Sequence, residues 1–126
     1  MSHTVVKVLI HIVFTPKHRH HCLNEEICSR LYPYINKIIQ NLGCYPYQIG
    51  GIEDHIHILC GLGKTISISK LIEEIKISTS KWLKLNYSEL SGFYWQSGYG
   101  VFSVSLSHFN VIKNYIANQI DHHKPK

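Results

Sequence analysis

The feature that most constrains the fold of this chain is the order in which its hydrophobic spacing changes. Residues 5–15 alternate with period two, which is typical of a β-strand with one apolar side. The residues that share this apolar side are Val6, Val8, Ile10, Ile12 and Phe14. From residue 27 to residue 42 the apolar side chains instead recur every three or four positions, which predicts an amphipathic helix.

Signals at the ends of this helix, and one within it, refine the prediction. Asn24 is placed to cap the first turn, and Gly43 is placed to end the helix. Pro33 lacks the amide hydrogen that a helix interior requires, so it predicts either a kink or a second helix start.

Two strands and a second helix are predicted next. Residues 44–49 and 52–60 have strand character, and Gly50-Gly51 between them is predicted to form the turn of an antiparallel hairpin. Ser67 is placed to cap the second helix. The apolar face of that helix is predicted to consist of Ile68, Leu71, Ile72, Ile75, Trp82 and Leu83.

The chain is predicted to finish with a strand and a helix. The strand is expected near residues 98–106, and Ser107 is placed to cap a helix that continues to about His122. The order β-α-β-β-α-β-α predicts an α+β fold, a ferredoxin-like split βαβ sandwich with an antiparallel sheet and an added C-terminal helix. No linker or internal repeat interrupts residues 1–126, which are predicted to form a single domain.

Composition narrows the class of function. Thirteen Lys and Arg residues against eight Asp and Glu give a formal charge of +5, which favours a polyanionic partner such as nucleic acid. The four cysteines form no CxxC pair, the N-terminus lacks the layout of a secretory signal, and no apolar run approaches the roughly 20 residues that span a bilayer. These features predict a cytoplasmic protein with reduced thiols and no membrane association.

Two histidines on a predicted strand are the first candidate for chemistry. In residues 54–59 (DHIHIL), His55 and His57 are two positions apart, so their imidazoles lie on the same face of the strand. Two imidazoles at this spacing can hold one metal ion and leave coordination positions open for substrate oxygens. An isolated pair of this kind is more often structural, so the motif requires support from the rest of the chain.

A tyrosine and a glutamine on the last predicted helix are the second candidate. Tyr115 and Gln119 are four residues apart and share one helix face. Gln119 falls within an apolar stripe, which predicts that its amide is buried and needs a polar partner. The stripe consists of Val111, Ile112, Ile116 and Ile120. A metal ion or a phosphate would satisfy that amide, and so would an ordinary hydrogen bond between packed elements.

Basic and aromatic side chains form the third candidate. Lys17, Arg19 and Lys64 are predicted to contact phosphates, although a solvated basic surface is the simpler interpretation of each one alone. Three aromatic residues offer faces on which bases can stack, or else belong to the core. They are Tyr94, Trp95 and Tyr99.

In combination these motifs resemble the single-tyrosine transposases of the IS200/IS605 family, within the HUH endonuclease superfamily. The matching segments are residues 11–14 (HIVF), 54–59 (DHIHIL), 95–105 (WQSGYGVFSVS) and 115–119 (YIANQ), which occur in the family's order. The resemblance implies that Tyr115 is the catalytic nucleophile. It also implies that His55, His57 and Gln119 are ligands of a Mg²⁺ or Mn²⁺ cofactor.

The function implied by the resemblance is the nicking and rejoining of single-stranded DNA at hairpin-marked transposon ends, through a 5′-phosphotyrosine intermediate. The implied partners are single-stranded DNA with hairpins and a second copy of the chain, without a nucleotide cofactor. In relatives the tyrosine helix packs onto the partner subunit, but coverage of its apolar stripe by its own chain would serve equally well. Two departures are a glutamate, Glu53, where relatives commonly have proline, and a short segment after Gln119.

Three other hypotheses are compatible with the sequence. The first is a domesticated relative that processes chromosomal hairpin repeats with the same chemistry. The second is a non-catalytic nucleic-acid-binding module of ferredoxin-like fold. The third is a structural zinc protein that uses the cluster His18, His20, His21 and Cys22, although ligands crowded into five consecutive positions do not match the spacing of structural zinc sites.

Overall fold

The computed structural model describes residue 5 and residues 7–119. Its strands and helices are β1 (Leu9–Phe14), α1 (Glu25–Asn41), β2 (Tyr45–Ile52), β3 (His55–Gly61), α2 (Ile68–Asn86), β4 (Gly100–Val104) and α3 (Phe109–Ala117). Single 3₁₀ turns occur at Lys17–Arg19, Ser88–Leu90 and Leu106–His108. The predicted order β-α-β-β-α-β-α is therefore confirmed.

The four strands form one antiparallel sheet in the order β2-β3-β1-β4, as the ferredoxin-like prediction requires. Ile10, Ile12 and Phe14 of β1 are buried in the core that α1 and α2 cover. Because successive side chains of a strand point to opposite faces, His11 and Val13 lie on the other face of the sheet. Helix α3 packs on β2 and β3, and the ring of its Tyr115 lies beside that of His57, which also contacts His11.

Strand β1 is shorter at its start than the period-two pattern predicts. It begins at Leu9, where pairing with Gly61 of β3 and Val104 of β4 begins. Val5 and Val8 lie before this point and are exposed, whereas Val6 lies outside the described residues. The alternation begins before the first residue of the strand, so the pattern alone overestimates the length of the strand.

Helix α1 has the predicted ends but is not divided. Asn24 Oδ1 accepts a hydrogen bond of 2.9 Å from the Ile27 amide, and Gly43 follows the helix with φ +76°. The helix runs as one element through Pro33, so the prediction of a second start is wrong. Pro33 deprives only the Ser29 carbonyl of its helical partner, and both residues are exposed, so that water can satisfy this carbonyl.

Helix α2 agrees with its prediction. Ser67 Oγ accepts a hydrogen bond of 3.1 Å from the Lys70 amide and caps the first turn. The predicted apolar residues Leu71, Ile72, Ile75 and Leu83 are buried, and Ile68 and Trp82 are partly buried against them. None of the helices formed by the described residues is long and apolar enough to span a bilayer.

The predicted turn at Gly50-Gly51 is wrong. Both glycines lie inside β2, and the chain reverses at Glu53 and Asp54, between the paired residues Ile52 and His55. A side chain at Gly50 would overlap the backbone carbonyl of Ile116 in α3. This glycine therefore permits close packing of a helix on the strand, a role that a local sequence pattern does not distinguish from a turn.

Helix α3 begins later than predicted. Ser107 does not cap it, because the Ser107 hydroxyl lies within hydrogen-bond distance of Ser105 and His108 in the preceding 3₁₀ turn. The N-cap position is occupied by His108, without a side-chain cap. Val111 is exposed, contrary to the predicted stripe. The predicted extension to His122, including Ile120, lies outside the described residues.

Candidate active site

Four side chains singled out by the sequence meet on the α3 side of the sheet. His55 and His57 lie two residues apart on β3, and the centroids of their rings are 4.9 Å apart. The Tyr115 ring lies 5.9 Å from that of His57, and Gln119 Nε2 lies 3.4 Å from His55 Nε2. The structure therefore brings the two histidines, the tyrosine and the glutamine together within a single chain.

Close packing of α3 on β2 makes this arrangement possible. Ile116 is fully buried, and its backbone carbonyl approaches Gly50 so closely that no side chain would fit between them. At the start of the helix, the ring of Phe109 meets the edge of Tyr47 at a centroid distance of 5.0 Å. Because Ile116 adjoins Tyr115 in the chain, the contact at Gly50 sets the distance from the tyrosine to the histidine strand.

His55 is oriented by a buried carboxylate. Its Nδ1 lies 2.9 Å from Asp54 Oδ1, and Asp54 Oδ2 also forms an ion pair of 2.9 Å with Arg19 Nη2. Burial raises the pKa of Asp54, but hydrogen bonds and positive charge from His55 and Arg19 outweigh burial and hold its pKa below the usual range. An ionised Asp54 accepts a hydrogen bond from the Nδ1–H of His55, which leaves the Nε2 lone pair of His55 available for ligand binding.

Arg19 reaches Asp54 through an unusual backbone conformation. His18 has φ +59° and Arg19 has φ +52°, so two successive residues other than glycine occupy the left-handed region. Each residue in such a conformation destabilises the fold by roughly 1–3 kcal/mol, and the conformation persists only where surrounding contacts hold it. The paired hydrogen bonds from Arg19 to Asp54, at 2.9 and 3.1 Å, supply such contacts.

His57 is oriented by another histidine that the sequence analysis did not select. His11 Nε2 lies 2.8 Å from His57 Nδ1, and the two rings stack with centroids 5.0 Å apart. Burial lowers the pKa of His11, which favours its neutral form. Although His11 was part of the matching segment 11–14, its contact depends on the register that places Val13 opposite His57, and that register is not visible in the sequence.

Gln119 provides the strongest indication of a missing partner. Its side chain is 1% exposed, and its Oε1 has no hydrogen-bond partner among residue 5 and residues 7–119. A buried amide oxygen without a partner destabilises a fold by about 1–3 kcal/mol, so such atoms are uncommon. A cation bound by His55, His57 and this oxygen would satisfy it. Two imidazoles and an amide oxygen form a mixed nitrogen and oxygen donor set that is compatible with Mn²⁺, and imidazoles alone would also accept Zn²⁺.

Among the described residues, the carboxyl, thiol and histidine side chains alone do not form a metal centre. Within the part of the chain that the structure describes, no group of three or more His, Cys, Asp or Glu residues is arranged to hold a metal ion. The candidate site therefore depends on the amide of Gln119. The zinc cluster considered for His18, His20, His21 and Cys22 is not formed.

The three basic residues that were predicted to contact phosphates lie at different distances from the candidate active site. Arg19 lies beside the site through Asp54. Lys17 is exposed, and its backbone amide donates a hydrogen bond of 2.9 Å to the Tyr94 carbonyl. Lys64 follows the far end of β3, which places it roughly 20 Å along the strand from His55. The structure therefore brings Arg19 to the site and leaves Lys64 at the opposite end of the sheet.

The predicted stacking residues also divide into two groups. Tyr94 and Tyr99 are exposed. Trp95 instead packs against Phe14 and a neighbouring phenylalanine, with centroids 4.7 Å apart in both pairs, and its Nε1 donates a hydrogen bond of 3.0 Å to Thr79. Trp95 therefore contributes to packing and is only partly buried, and the stacking of bases on it stays a prediction.

A ferredoxin-like sheet with paired histidines on a central strand, covered by a helix that carries a tyrosine, is the arrangement of a single-tyrosine transposase. The chain belongs to the family described as Transposase IS200 like, whose model matches residues 4–119. The ISDra2 transposase TnpA of Deinococcus radiodurans is 23% identical over 122 residues, which cover 93% of this chain and 87% of that protein. The protein is therefore a transposase, a DNA-processing enzyme.

Two solved structures have the same fold. A crystal structure from Deinococcus radiodurans R1, of a protein assigned as a transposase, has a TM-score of 0.72 and 23% identity and covers 94% of this chain and 95% of that chain. A REP-associated tyrosine transposase bound to a REP hairpin has a TM-score of 0.70 and 15% identity, and covers 98% of this chain and 73% of that chain. At these identities the likeness shows the fold alone.

Proposed function

We propose that this transposase nicks and rejoins single-stranded DNA at hairpin-marked transposon ends, with Tyr115 as its nucleophile. The observation that carries the proposal is the convergence of Tyr115 and the buried Gln119 on the histidine pair, at 5.9 Å from His57 and 3.4 Å from His55 respectively. A core tyrosine and a core glutamine would not require two oriented imidazoles beside them.

The proposed reaction exchanges one phosphoester bond for another. Tyr115 Oη attacks the scissile phosphorus, the bond from phosphorus to the 3′ oxygen breaks, and the products are a 5′-phosphotyrosine and a free 3′-hydroxyl. Tyr115 is 38% exposed, so its phenolic proton can pass to water. Attack on the phosphotyrosine by another 3′-hydroxyl reverses the reaction and joins a new strand. Since the ester retains the energy of the original bond, no nucleotide cofactor is required.

A divalent cation is the proposed cofactor, held by His55, His57 and Gln119. When bound, Mg²⁺ or Mn²⁺ supplies polarisation of the scissile phosphate and stabilises its developing negative charge. The chain contributes orientation, because Asp54 and His11 engage Nδ1 of the two ligating imidazoles. Such supporting hydrogen bonds fix the tautomer of a histidine ligand.

The nucleophile is tested by replacing single tyrosines. Tyr115→Phe removes one oxygen from a half-exposed side chain, so we expect folding and DNA binding to persist and the covalent adduct with labelled single-stranded DNA to disappear. Tyr45→Phe, on the exposed end of β2, is the matched control and should form the adduct normally. An adduct that persists in Tyr115→Phe would show that the nucleophile is elsewhere.

The cofactor is tested in the same assay. We expect chelator to abolish adduct formation and added Mg²⁺ or Mn²⁺ to restore it, whereas His57→Ala should remain inactive under both conditions and still bind hairpin DNA. Full cleavage in excess chelator would remove the metal from the mechanism.

A second candidate function is the processing of chromosomal hairpin repeats with the same chemistry. It is favoured by the similarity of fold to the REP-associated transposase that is bound to a REP hairpin. The two functions are distinguished by offering the enzyme the hairpins that flank its own gene and repeat hairpins from the same chromosome. Preferential cleavage identifies the substrate, and equal cleavage of the corresponding perfect duplexes would contradict both proposals. Lys17, Arg19 and Lys64 are proposed as phosphate contacts in either case.

We further propose that the enzyme is a homodimer. The support within the chain is β4, an edge strand of the sheet, where Phe102 is 59% exposed. Unpaired edges with exposed apolar side chains favour association with another strand. Because Tyr115 lies beside His57 of its own chain, we expect mixed dimers of Tyr115→Phe and His57→Ala subunits to remain inactive. Restored cleavage would show that the helix acts across the dimer interface.

A further inference from the structure

A second surface lies between the C-terminal half of α2 and the segment that precedes β4. It contains two hollows, with volumes of about 420 Å³ and about 400 Å³. We call it the Tyr94 surface, and the residues that define it are Lys17, Lys81, Lys84, Tyr94 and Gln96. Lys17 has already been proposed as a phosphate contact, and the other four residues lie outside the candidate active site described above.

The charge of the Tyr94 surface has one sign. Lys81 and Lys84 line the first hollow, and Lys17, His18 and His20 line the second. Of the described residues that line the two hollows, none is acidic. Cations concentrated in concave surfaces attract polyanions more strongly than the same charges dispersed over a convex surface.

Tyr94 presents an exposed aromatic ring on this surface. Its side chain is 61% exposed, whereas the neighbouring Phe93 is buried and Trp95 packs against the core. Lys84 Nζ lies 4.2 Å from the centroid of the Tyr94 ring, which is a close cation–π contact. An exposed aromatic face with a cation beside it is the combination that binds a base and its phosphate in single-stranded nucleic acid.

The segment that carries Tyr94 is held firmly in place. Lys76 Nζ donates hydrogen bonds of 2.9 Å to the Gln96 carbonyl and 2.6 Å to the Gly98 carbonyl. The Lys17 amide donates a hydrogen bond of 2.9 Å to the Tyr94 carbonyl itself. Tyr94 is therefore presented on a fixed backbone, and less conformational entropy is lost when a ligand binds there.

The Tyr94 surface is continuous with the active site. The 3₁₀ turn Lys17–Arg19 begins beside Tyr94 and ends at Arg19, whose guanidinium forms an ion pair of 2.9 Å with Asp54. Asp54 in turn lies 2.9 Å from His55. A strand with its scissile phosphate at the histidines therefore has a basic path over this turn to Tyr94.

We infer that the Tyr94 surface binds the single strand on one side of the scissile phosphate, with a base stacked on Tyr94 and phosphates beside Lys81 and Lys84. The inference rests on the proposed function, because it takes single-stranded DNA as the substrate.

The experiment measures binding by fluorescence anisotropy, in a Tyr115→Phe background so that no strand is cut. The probe is a labelled hairpin oligonucleotide with a single-stranded extension on either side of the cleavage site. Tyr94→Leu should weaken binding by about 5- to 150-fold, the range for loss of one stacked base, whereas Tyr94→Phe should bind normally. Tyr45→Leu, which alters a similarly exposed tyrosine at the far end of β2, is the control.

The phosphate contacts have a separate signature. Lys84→Gln should lower the slope of log affinity against log salt by about 0.7, the value for one phosphate contact on a single strand. Lys37→Gln, on the exposed side of α1, should leave the slope unchanged.

The outcomes separate the inference from the function on which it rests. If Tyr94→Leu binds as tightly as Tyr45→Leu while the protein with Tyr115 intact forms its adduct, the inference is wrong and the proposed function stands. An equal loss for hairpin DNA and perfect duplex would likewise refute base stacking. If the protein with Tyr115 intact forms no adduct and the Tyr115→Phe background does not bind the single strand, the proposed function fails first.

Discussion

Gly50→Ala is the most specific test of how the fold positions Tyr115, the proposed nucleophile. The substitution adds one methyl group to the middle of β2, on the face that α3 covers. That methyl carbon would overlap the Ile116 carbonyl oxygen and would lie 3.0 Å from both the Ile116 carbonyl carbon and Cγ2. Two of these three atoms belong to the helix backbone, so a change of side-chain rotamer cannot relieve the overlap.

The size of the effect follows from this geometry. Carbon atoms make favourable contact at about 3.5–4.0 Å, so α3 must withdraw from β2 by roughly 1 Å. Overpacking of this kind lowers the free energy of unfolding by about 1–3 kcal/mol. A misplacement of about 1 Å at a reacting group reduces the rate by about 100-fold. Tyr115 is the residue next to Ile116, so we expect catalysis to suffer far more than folding.

The assay compares the rate of phosphotyrosine formation with thermal unfolding for each variant. Gly92→Ala is the matched control, because a methyl group there has no atom within 4 Å. We expect Gly92→Ala to be normal in both measurements, and Gly50→Ala to remain folded with a rate about 100-fold lower. A Gly50→Ala enzyme with the normal rate would refute the argument that this contact positions Tyr115.

Three further predictions concern side chains that support the site or the surface beside it. His11→Ala removes the hydrogen bond to His57 Nδ1 and should weaken Mn²⁺ binding by about 10- to 100-fold, measured by calorimetry. Asp54→Asn should make the free energy of unfolding fall less steeply as the pH is lowered. The lowered pKa of Asp54 in the folded protein stabilises the fold at pH values above the pKa of Asp54 in the unfolded chain, and this stabilisation is lost as the pH falls through the pKa of Asp54 in the folded protein. Thr79→Val leaves the indole N–H of Trp95 without its acceptor and should lower the free energy of unfolding by about 1–3 kcal/mol, measured by urea denaturation.

The order of the elements was predictable because each element carries its own periodicity. Alternation along residues 9–14 and helical spacing along α1 and α2 are local properties, and the caps at Asn24 and Ser67 are local as well. These signals fixed the ferredoxin-like arrangement, since few connections of such a series produce a right-handed, unknotted sheet.

The errors occurred where tertiary contacts determine the role of a residue. Gly50 is of a residue type typical of turns, but it lies in a strand because a helix packs against its backbone. Ser107 precedes the last helix at a suitable distance, but its hydroxyl is engaged in the 3₁₀ turn. In each case the role of the residue is decided either by contact with a residue distant in the chain or by a competing local hydrogen bond.

The same distinction separates the candidate ligands from their supporting residues. His55 and His57 could be chosen from their spacing, and Gln119 from its place in an apolar stripe. His11 and Arg19 could not be assigned their contacts, because these depend on the register of β1 against β3 and on left-handed backbone at two consecutive residues. Neither feature leaves a periodic trace in the sequence.

The two halves of the candidate site rest on elements of unequal rigidity. His55 and His57 are on β3, a wholly buried strand that is paired on both sides. Tyr115 is on α3, whose described part, Phe109–Ala117, has nine residues, fewer than the roughly 12–15 that an isolated helix needs to be even marginally stable. The helicity of α3 therefore depends on packing at a few points such as Gly50. Elements that move during a reaction come from the less stable parts of a fold. In the proposed reaction, the histidines would therefore define from a rigid strand where the phosphate binds, whereas Tyr115 would act from an element whose position depends on a few packing contacts.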